Sequence, residues 1–329
     1  MTDGVSVTDY HTAGEPFRIV TSVEVPGASV PDRRVFAQTS STIDAIRQLL
    51  VNEPRGHADM YGGFIVPGND DGADFGVLFW HKDGYSTACG HGTIALGTWA
   101  VETGRVPAAS DGVTDVVIDV PSGRVVARVT CSAGVVTGVA FRNVPSYVVD
   151  RAVPVSTSRG DVVADISFGG AFYASVEASS LGLSVTPTSY ADLVAVGREI
   201  KWALDAVAVH PTDPRLSGLY GTILYDDLGS VDGGPYQRNL TIFADGEADR
   251  SPCGSGTSAR LALLYDDGRL GPGQVLRHDS IVGTTFLGRV VEESADGVIT
   301  EVEGAAYRTG TATFTLDPRD PLGTGFTLR

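Results

Sequence analysis

Two short stretches combine residue types that do chemistry with a spacing that positions them. Cys89-Gly90-His91-Gly92-Thr93 and Cys253-Gly254-Ser255-Gly256-Thr257 share the pattern Cys-Gly-x-Gly-Thr and stand half the chain apart. Each leads into an apolar, helix-compatible run that ends at a glycine, Gly104 or Gly268, and Arg105-Val106 and Arg269-Leu270 follow. The pattern predicts two related halves, each presenting one cysteine at a helix start. A cysteine there meets unpaired backbone N–H groups and the positive end of the helix dipole, which together favour the thiolate and lower the thiol from its usual value of about 8.5. The glycines clear side chains away, so a ligand carboxylate can approach the N–H groups. A carboxylate held between two such starts would have its α-carbon between two sulfurs. One could take the α-proton from one face and the other return it to the opposite face, while the N–H groups stabilise the enolate-like charge.

That chemistry requires no metal and no pyridoxal cofactor, and the chain has no Gly-x-x-x-x-Gly-Lys phosphate loop. Two rival readings exist. Cys89, His91, Asp249 and Cys253 are metal-ligand types, but zinc has no need of glycine-rich helix starts. A catalytically silent amino-acid-binding protein would use the same residues without moving a proton.

The elements around these motifs read as many short strands and few helices, an α/β (α+β) chain. Residues 5–10, 18–25, 64–66 and 75–80 are strand-like, a helix is expected over 42–52, and Lys82-Asp83-Gly84 is a turn before the helix that begins at Gly90. Residues 113–148 read as successive strands with hairpin signals at Pro121-Ser122-Gly123 and Ser132-Ala133-Gly134. Cys131 falls there as a packed core thiol. In the second half, strands are expected at 165–168, 171–176, 220–224 and 240–243 and a helix at 191–210. Loops are expected at 211–214 and 226–235, and His278-Asp279 reads as a turn. Asp83-Gly84 and Asp245-Gly246 precede the two motifs. The expected division is 1–148 with Cys89 and 149–329 with Cys253, the segment from about 310 packing back onto the first half.

A chain of 329 residues with 42% hydrophobic content can bury a substantial core. Its net charge of −16 argues against nucleic acid or an anionic membrane as partner. Three cysteines are too few for a disulfide framework. The start lacks the pattern of a signal peptide, so the expected location is cytoplasmic. The expected partner is a small imino or amino acid, and a homodimer is compatible with the sequence.

Four ordered stretches carry a resemblance: residues 9–18 (DYHTAGEPFR), 56–62 (GHADMYG), 89–92 (CGHG) and 249–254 (DRSPCG). Over almost its whole length the chain resembles the proline racemase superfamily, which includes proline racemase, 4-hydroxyproline epimerase and trans-3-hydroxyproline dehydratase. The resemblance implies a diaminopimelate-epimerase-like fold: two pseudo-symmetric halves, each a mainly antiparallel sheet wrapped around a central helix, with the active site in the cleft between them. It implies that Cys89 and Cys253 are the acid/base pair and that His91 and Asp249 bind the substrate amine. Gly90, His91, Gly254 and Ser255 would hold the carboxylate. His11, Glu15 and Arg18 read as a structural hydrogen-bonded cluster, and His57 with Asp59 likewise. Cysteine at both positions goes with racemases and epimerases, whereas residues 81–87 and 219–224 look more like the dehydratase branch. The resulting expectation is a cofactor-independent racemase or epimerase of proline or a hydroxyproline. The alternative is a trans-3-hydroxy-L-proline dehydratase with Cys89 as its base.

Overall fold

A computed structural model of the chain describes residues 4–328. These form two compact units, one of the residues up to Val139 together with those from Ala305 onward, the other of Ala140–Gly304. No helix among the described residues is long and apolar enough to cross a membrane.

In chain order the first unit contains β1 (Val5–Thr12), β2 (Glu15–Val20), α1 (Val30–Thr39), α2 (Ser41–Val51), β3 (Gly62–Val66), β4 (Phe75–His81), β5 (Gly84–Tyr85), α3 (Gly90–Glu102), β6 (Gly112–Val120) and β7 (Gly123–Ser132). Strand β8 (Val135–Arg142) carries the chain across the boundary. Pairing is mainly antiparallel, with β2–β3 and β4–β6 parallel. Helix α3 is buried at every residue from Gly90 to Ala100, the mark of a helix that is itself the core. Cys131, on β7, is a buried free thiol.

The second unit contains β9 (Tyr147–Thr157), β10 (Gly160–Phe168), β11 (Phe172–Glu177), α4 (Tyr190–Ala203), β12 (Leu219–Val231), β13 (Gly234–Phe243), β14 (Glu247–Asp249), α5 (Gly254–Asp266), β15 (Leu276–Ser280), β16 (Thr285–Ser294) and β17 (Gly297–Gly304). Pairing is again mainly antiparallel, with β11–β12 and β13–β15 parallel. Helix α5 is buried from Gly254 to Leu264. The last strand, β18 (Ala306–Phe314), returns to the first unit and pairs with β1, Val5 opposite Phe314.

Several local expectations need correction. Helix α1 carries no apolar stripe for a periodicity to reveal; it is set by Ser29, whose hydroxyl accepts the Asp32 N–H, and by Pro31 in the first turn. Strand β2 stops at Val20 rather than 25. Helix α4 stops at Ala203, not at 210, because Asp205 turns the chain and accepts the Leu219 N–H, while Val207 and Val209 beyond it have no core to enter. Residues 226–231 are not a loop but the far end of β12. Asp232-Gly233, both at positive φ (50° and 81°), makes the two-residue turn that returns it as β13. His278 and Asp279 lie within β15, not in a turn.

Candidate active site

In the first unit Cys89 is the N-cap residue of α3, with extended backbone (φ −156°), and its Sγ accepts the Gly92 N–H at 3.2 Å. The His91 imidazole lies beside the same sulfur, Nδ1 at 3.4 Å. Phe17 and Tyr61 meet the His91 ring edge to face and fix its plane. The Thr12 hydroxyl donates to the His91 carbonyl at 2.9 Å. Thr93 closes the first turn, its hydroxyl donating to the Cys89 carbonyl at 2.8 Å. Gly92 is required by space: a β-carbon there would stand 2.4 Å from Phe17 and 2.8 Å from the Cys89 sulfur. Cys89, Gly90 and His91 thus converge on one helix start, all buried.

At the beginning of the chain Arg18 is held bidentately by Asp9 at 2.9 and 2.8 Å and donates to the carbonyls of Leu50 and Arg55. It ties β1 and β2 to the segment after α2. The His11 imidazole accepts the Gly14 N–H, and the His57 imidazole accepts the Asp59 N–H, each at 3.2 Å.

The second unit builds its cysteine differently. Cys253 precedes α5 at φ +62°, a left-handed conformation that a non-glycine residue adopts at a cost of about 1–3 kcal/mol. Its thiol donates to the Tyr173 hydroxyl at 3.8 Å. Gly256 again leaves room, since a β-carbon there would lie 2.9 Å from the sulfur. Ser251 links Cys253 to Asp249: its hydroxyl accepts the Cys253 N–H at 3.0 Å and donates to the Asp249 carboxylate at 2.7 Å. Asp249, Cys253, Gly254 and Ser255 are therefore neighbours, all buried. The Ser255 hydroxyl has no hydrogen-bond partner among the described residues.

A thiol lowered by its helix start, as the sequence predicts, is not what Cys253 shows. Burial pushes it well above its ordinary value, and the neighbouring Asp249 carboxylate pushes it further up; the Gly256 N–H, Thr241 and Tyr173 oppose these effects without overcoming them. Desolvation outweighs the dipole because the charged form would stand in a site closed to water. Cys253 is a protonated sulfur at neutral pH. The same burial pushes Asp249 up to about 6, against its bonds from Ser251. A carboxyl that holds its proton more tightly when folded stabilises the fold fully below pH 4, and that contribution is lost as pH rises to about 6. Relative to Asp249→Asn, the wild-type protein is thus expected to lose about 2 kcal/mol between pH 4 and pH 6. Urea titrations of both proteins across that range would show the loss; a difference that stayed flat with pH would contradict the raised carboxyl.

Two residues of this site, Asn239 and His278, were not singled out from the sequence as partners of the motif. Asn239 on β13 and the Thr257 hydroxyl both donate to the Pro252 carbonyl, at 3.0 and 3.1 Å. His278 on β15 lies between them, 2.8 Å from the Asn239 amide and 2.9 Å from the Thr257 hydroxyl. The available signal was the run Gln237, Asn239, Thr241, polar at every second residue of a strand whose neighbours are apolar.

The family model described as proline racemase matches residues 7–327. Among curated relatives, a protein of Burkholderia cenocepacia named trans-3-hydroxy-L-proline dehydratase is 45% identical, covering 99% of this chain and 98% of the relative. One of Burkholderia multivorans named 3-hydroxyproline 2-epimerase is 44% identical, covering 99% and 98%. The crystal structure of a hydroxyproline epimerase from Agrobacterium vitis, with bound trans-4-hydroxy-L-proline, superposes with a TM-score of 0.91 at 30% identity, covering 100% of this chain and 97% of that one. Matching in sequence and fold from end to end, the chain is an enzyme that belongs to the proline racemase family.

Proposed function

We propose that this enzyme acts at the α-carbon of trans-3-hydroxy-L-proline, with Cys89 as the base, and that loss of water is its main outcome. The observation that carries the assignment of the base is the Cys89 sulfur at the first turn of α3, with the Gly92 N–H donated to it and the His91 imidazole beside it. The substrate and the outcome rest on the relatives, of which several at 42–45% identity are named as dehydratases of this compound. The α-proton goes to the Cys89 sulfur, the C2–H electron pair becomes the C2=C3 bond, and the C3–O bond breaks. In the trans isomer the 3-hydroxyl lies on the same ring face as the α-proton. The thiol just formed on Cys89 therefore faces the leaving oxygen and can return its proton to it, so hydroxide departs as water and the sulfur is restored. Backbone N–H groups at Gly90 and Gly254 and the hydroxyl of Ser255, which has no partner among the described residues, are suited to the carboxylate; charge developing there is what such donors stabilise. His91 and Asp249 are assigned to the ring nitrogen. The scheme calls on no cofactor.

A second outcome, inversion at the α-carbon, is favoured by Cys253. Elimination from the trans isomer has no use for a second sulfur, whereas inversion requires a proton donor for the opposite face, and a buried, protonated thiol is such a donor. The paired cysteines speak for inversion and the names of most of these relatives for dehydration. Incubation with trans-3-hydroxy-L-proline, trans-4-hydroxy-L-proline and L-proline in deuterated water, followed by NMR, separates them. The 3-hydroxy compound is expected to give a pyrroline carboxylate as its main product, with a minor share of inverted, deuterated substrate. Inverted, deuterated substrate as the main product would make the enzyme an epimerase, and no reaction with any of the three would sink the proposal. Gly92→Ala should lower turnover roughly a hundredfold, because its β-carbon displaces the Cys89 sulfur or Phe17 by a sizeable fraction of an ångström. Turnover close to wild type in that variant would mean the sulfur is not held where the chemistry needs it.

A further inference from the structure

The two motifs use the same threonine in different ways. In the first, the Thr93 hydroxyl donates to the carbonyl of its own cysteine, Cys89, whose backbone is extended. In the second, the Thr257 hydroxyl leaves the Cys253 carbonyl to the Thr257 N–H, at 2.7 Å, and donates instead to the carbonyl of Pro252. The peptide unit joining Pro252 to Cys253 is consequently tied at both ends. Its oxygen accepts from Asn239 and Thr257, and its N–H donates to Ser251. With the Cys253 carbonyl also tied, rotation about the N–Cα bond of Cys253 has no slack, and φ stays at +62°.

His278 completes the arrangement. The Pro252 carbonyl can only accept, so the Asn239 atom facing it is the amide nitrogen, whose second hydrogen points to His278 Nε2. Nε2 is then the acceptor and Nδ1 carries the proton, which goes to the Thr257 hydroxyl; that hydroxyl in turn donates to Pro252. Every hydrogen in the ring of contacts has one acceptor. His278 and Asn239 are fully buried, and burial holds the imidazole down at about 3, so the neutral tautomer persists at any pH at which the enzyme works. Nothing apolar would do this. A face packed against the core helix is ordinarily filled with aliphatic side chains, and here it is given to a polar set that binds one carbonyl.

We propose that His278, Asn239 and Thr257 are positioning residues that clamp the Pro252–Cys253 peptide and thereby hold Cys253 in its left-handed conformation, with its sulfur aimed at Tyr173. The proposal rests on the reading of Cys253 as a proton carrier, but the conformation can be tested apart from turnover. Released from the clamp, Cys253 relaxes toward the extended backbone of Cys89, and its sulfur leaves the buried position beside Tyr173 and Asp249 in which the thiolate is disfavoured. Iodoacetamide treatment at pH 8, with each cysteine peptide followed by mass spectrometry, gives the alkylation rate of Cys253 relative to Cys89 in the same molecules.

In Thr257→Val, which keeps the side-chain shape and removes one hydroxyl, that ratio should rise at least fivefold, and in Thr257→Ser it should return to the wild-type value. A ratio within twofold of wild type in folded Thr257→Val would overturn the clamp. His278→Phe should behave as Thr257→Val does; if it does not fold, the valine and serine pair decides alone. In turnover, Thr257→Val should lower kcat for α-carbon inversion tenfold to a hundredfold with KM within about threefold. A variant that is only less stable would show reduced folded fraction with the alkylation ratio and KM unchanged. If Cys253→Ala inverts substrate as well as wild type, the functional reading of Cys253 fails; the alkylation ratio still reports on the clamp.

Discussion

Replacement of Cys89 by alanine should lower both outcomes of the proposed reaction, exchange of the α-proton and loss of water, by about 10²-fold to 10⁴-fold, the range over which a positioned base contributes. The carbon acid has no other acceptor in its reach in the proposed scheme. Stability should change little: the sulfur's bond from the Gly92 N–H is a helix cap, whose loss costs about 1 kcal/mol. A chain of this size then melts only a few degrees lower. Cys89→Ser sharpens the test because a hydroxyl caps a helix at least as well as a thiol, yet a serine oxygen is far too poor a thiolate substitute to take the proton at neutral pH. The serine variant should match wild type in melting temperature and the alanine variant in inactivity. Appreciable isotope exchange in either, followed by NMR in deuterated water, would remove Cys89 from the role of base.

The second large effect belongs to Cys253. In Cys253→Ser, inversion of the α-carbon should fall by 10³-fold or more, since the opposite face of the ring loses its proton donor. Loss of water from trans-3-hydroxy-L-proline should survive within about tenfold, because proton and hydroxyl leave from one face and one sulfur attends both. The ratio of pyrroline product to inverted product is therefore the quantity to measure, in one tube and from one substrate. If dehydration collapses together with inversion, elimination requires the second thiol and the single-sulfur scheme is wrong. Protonation of that thiol by burial beside Asp249 makes it ready as an acid without any prior proton transfer.

The two cysteine motifs were legible because their glycines have a local reason: at Gly92 and Gly256 any side chain would strike the sulfur three residues earlier, so the requirement is written within five residues of sequence. The central helices were legible because each cysteine motif runs on into a stretch dominated by apolar residues, 94–101 and 259–265. What could not be read was whatever depends on residues distant in the chain. The state of Cys253 is set by desolvation and by Asp249, which defeat the helix start that the local sequence advertises. His278 sits in an unremarkable Arg-His-Asp run, and only the pairing of β15 with β13 brings it against Asn239 and Thr257. Helix α1 hides for the opposite reason, since its ten residues bury only Val30 and Ala37 and leave no periodic trace. Residues 226–235 read as loop because the outer half of the β12–β13 hairpin is exposed and polar; besides its backbone pairing it is held by Arg269, which pairs with Asp227, and by Asp226, whose carboxylate accepts the Val185 N–H.

The pairing of β1 with β18 joins residues from opposite ends of the chain. During synthesis the second unit, a continuous stretch ending at Gly304, can complete its sheet as soon as it clears the ribosome. The first unit must wait, with one edge of β1 unclaimed, until Ala306–Phe314 emerges. The half that is made first is thus the half that is finished last, and any nascent chain stalled in between exposes an open strand edge to its neighbours.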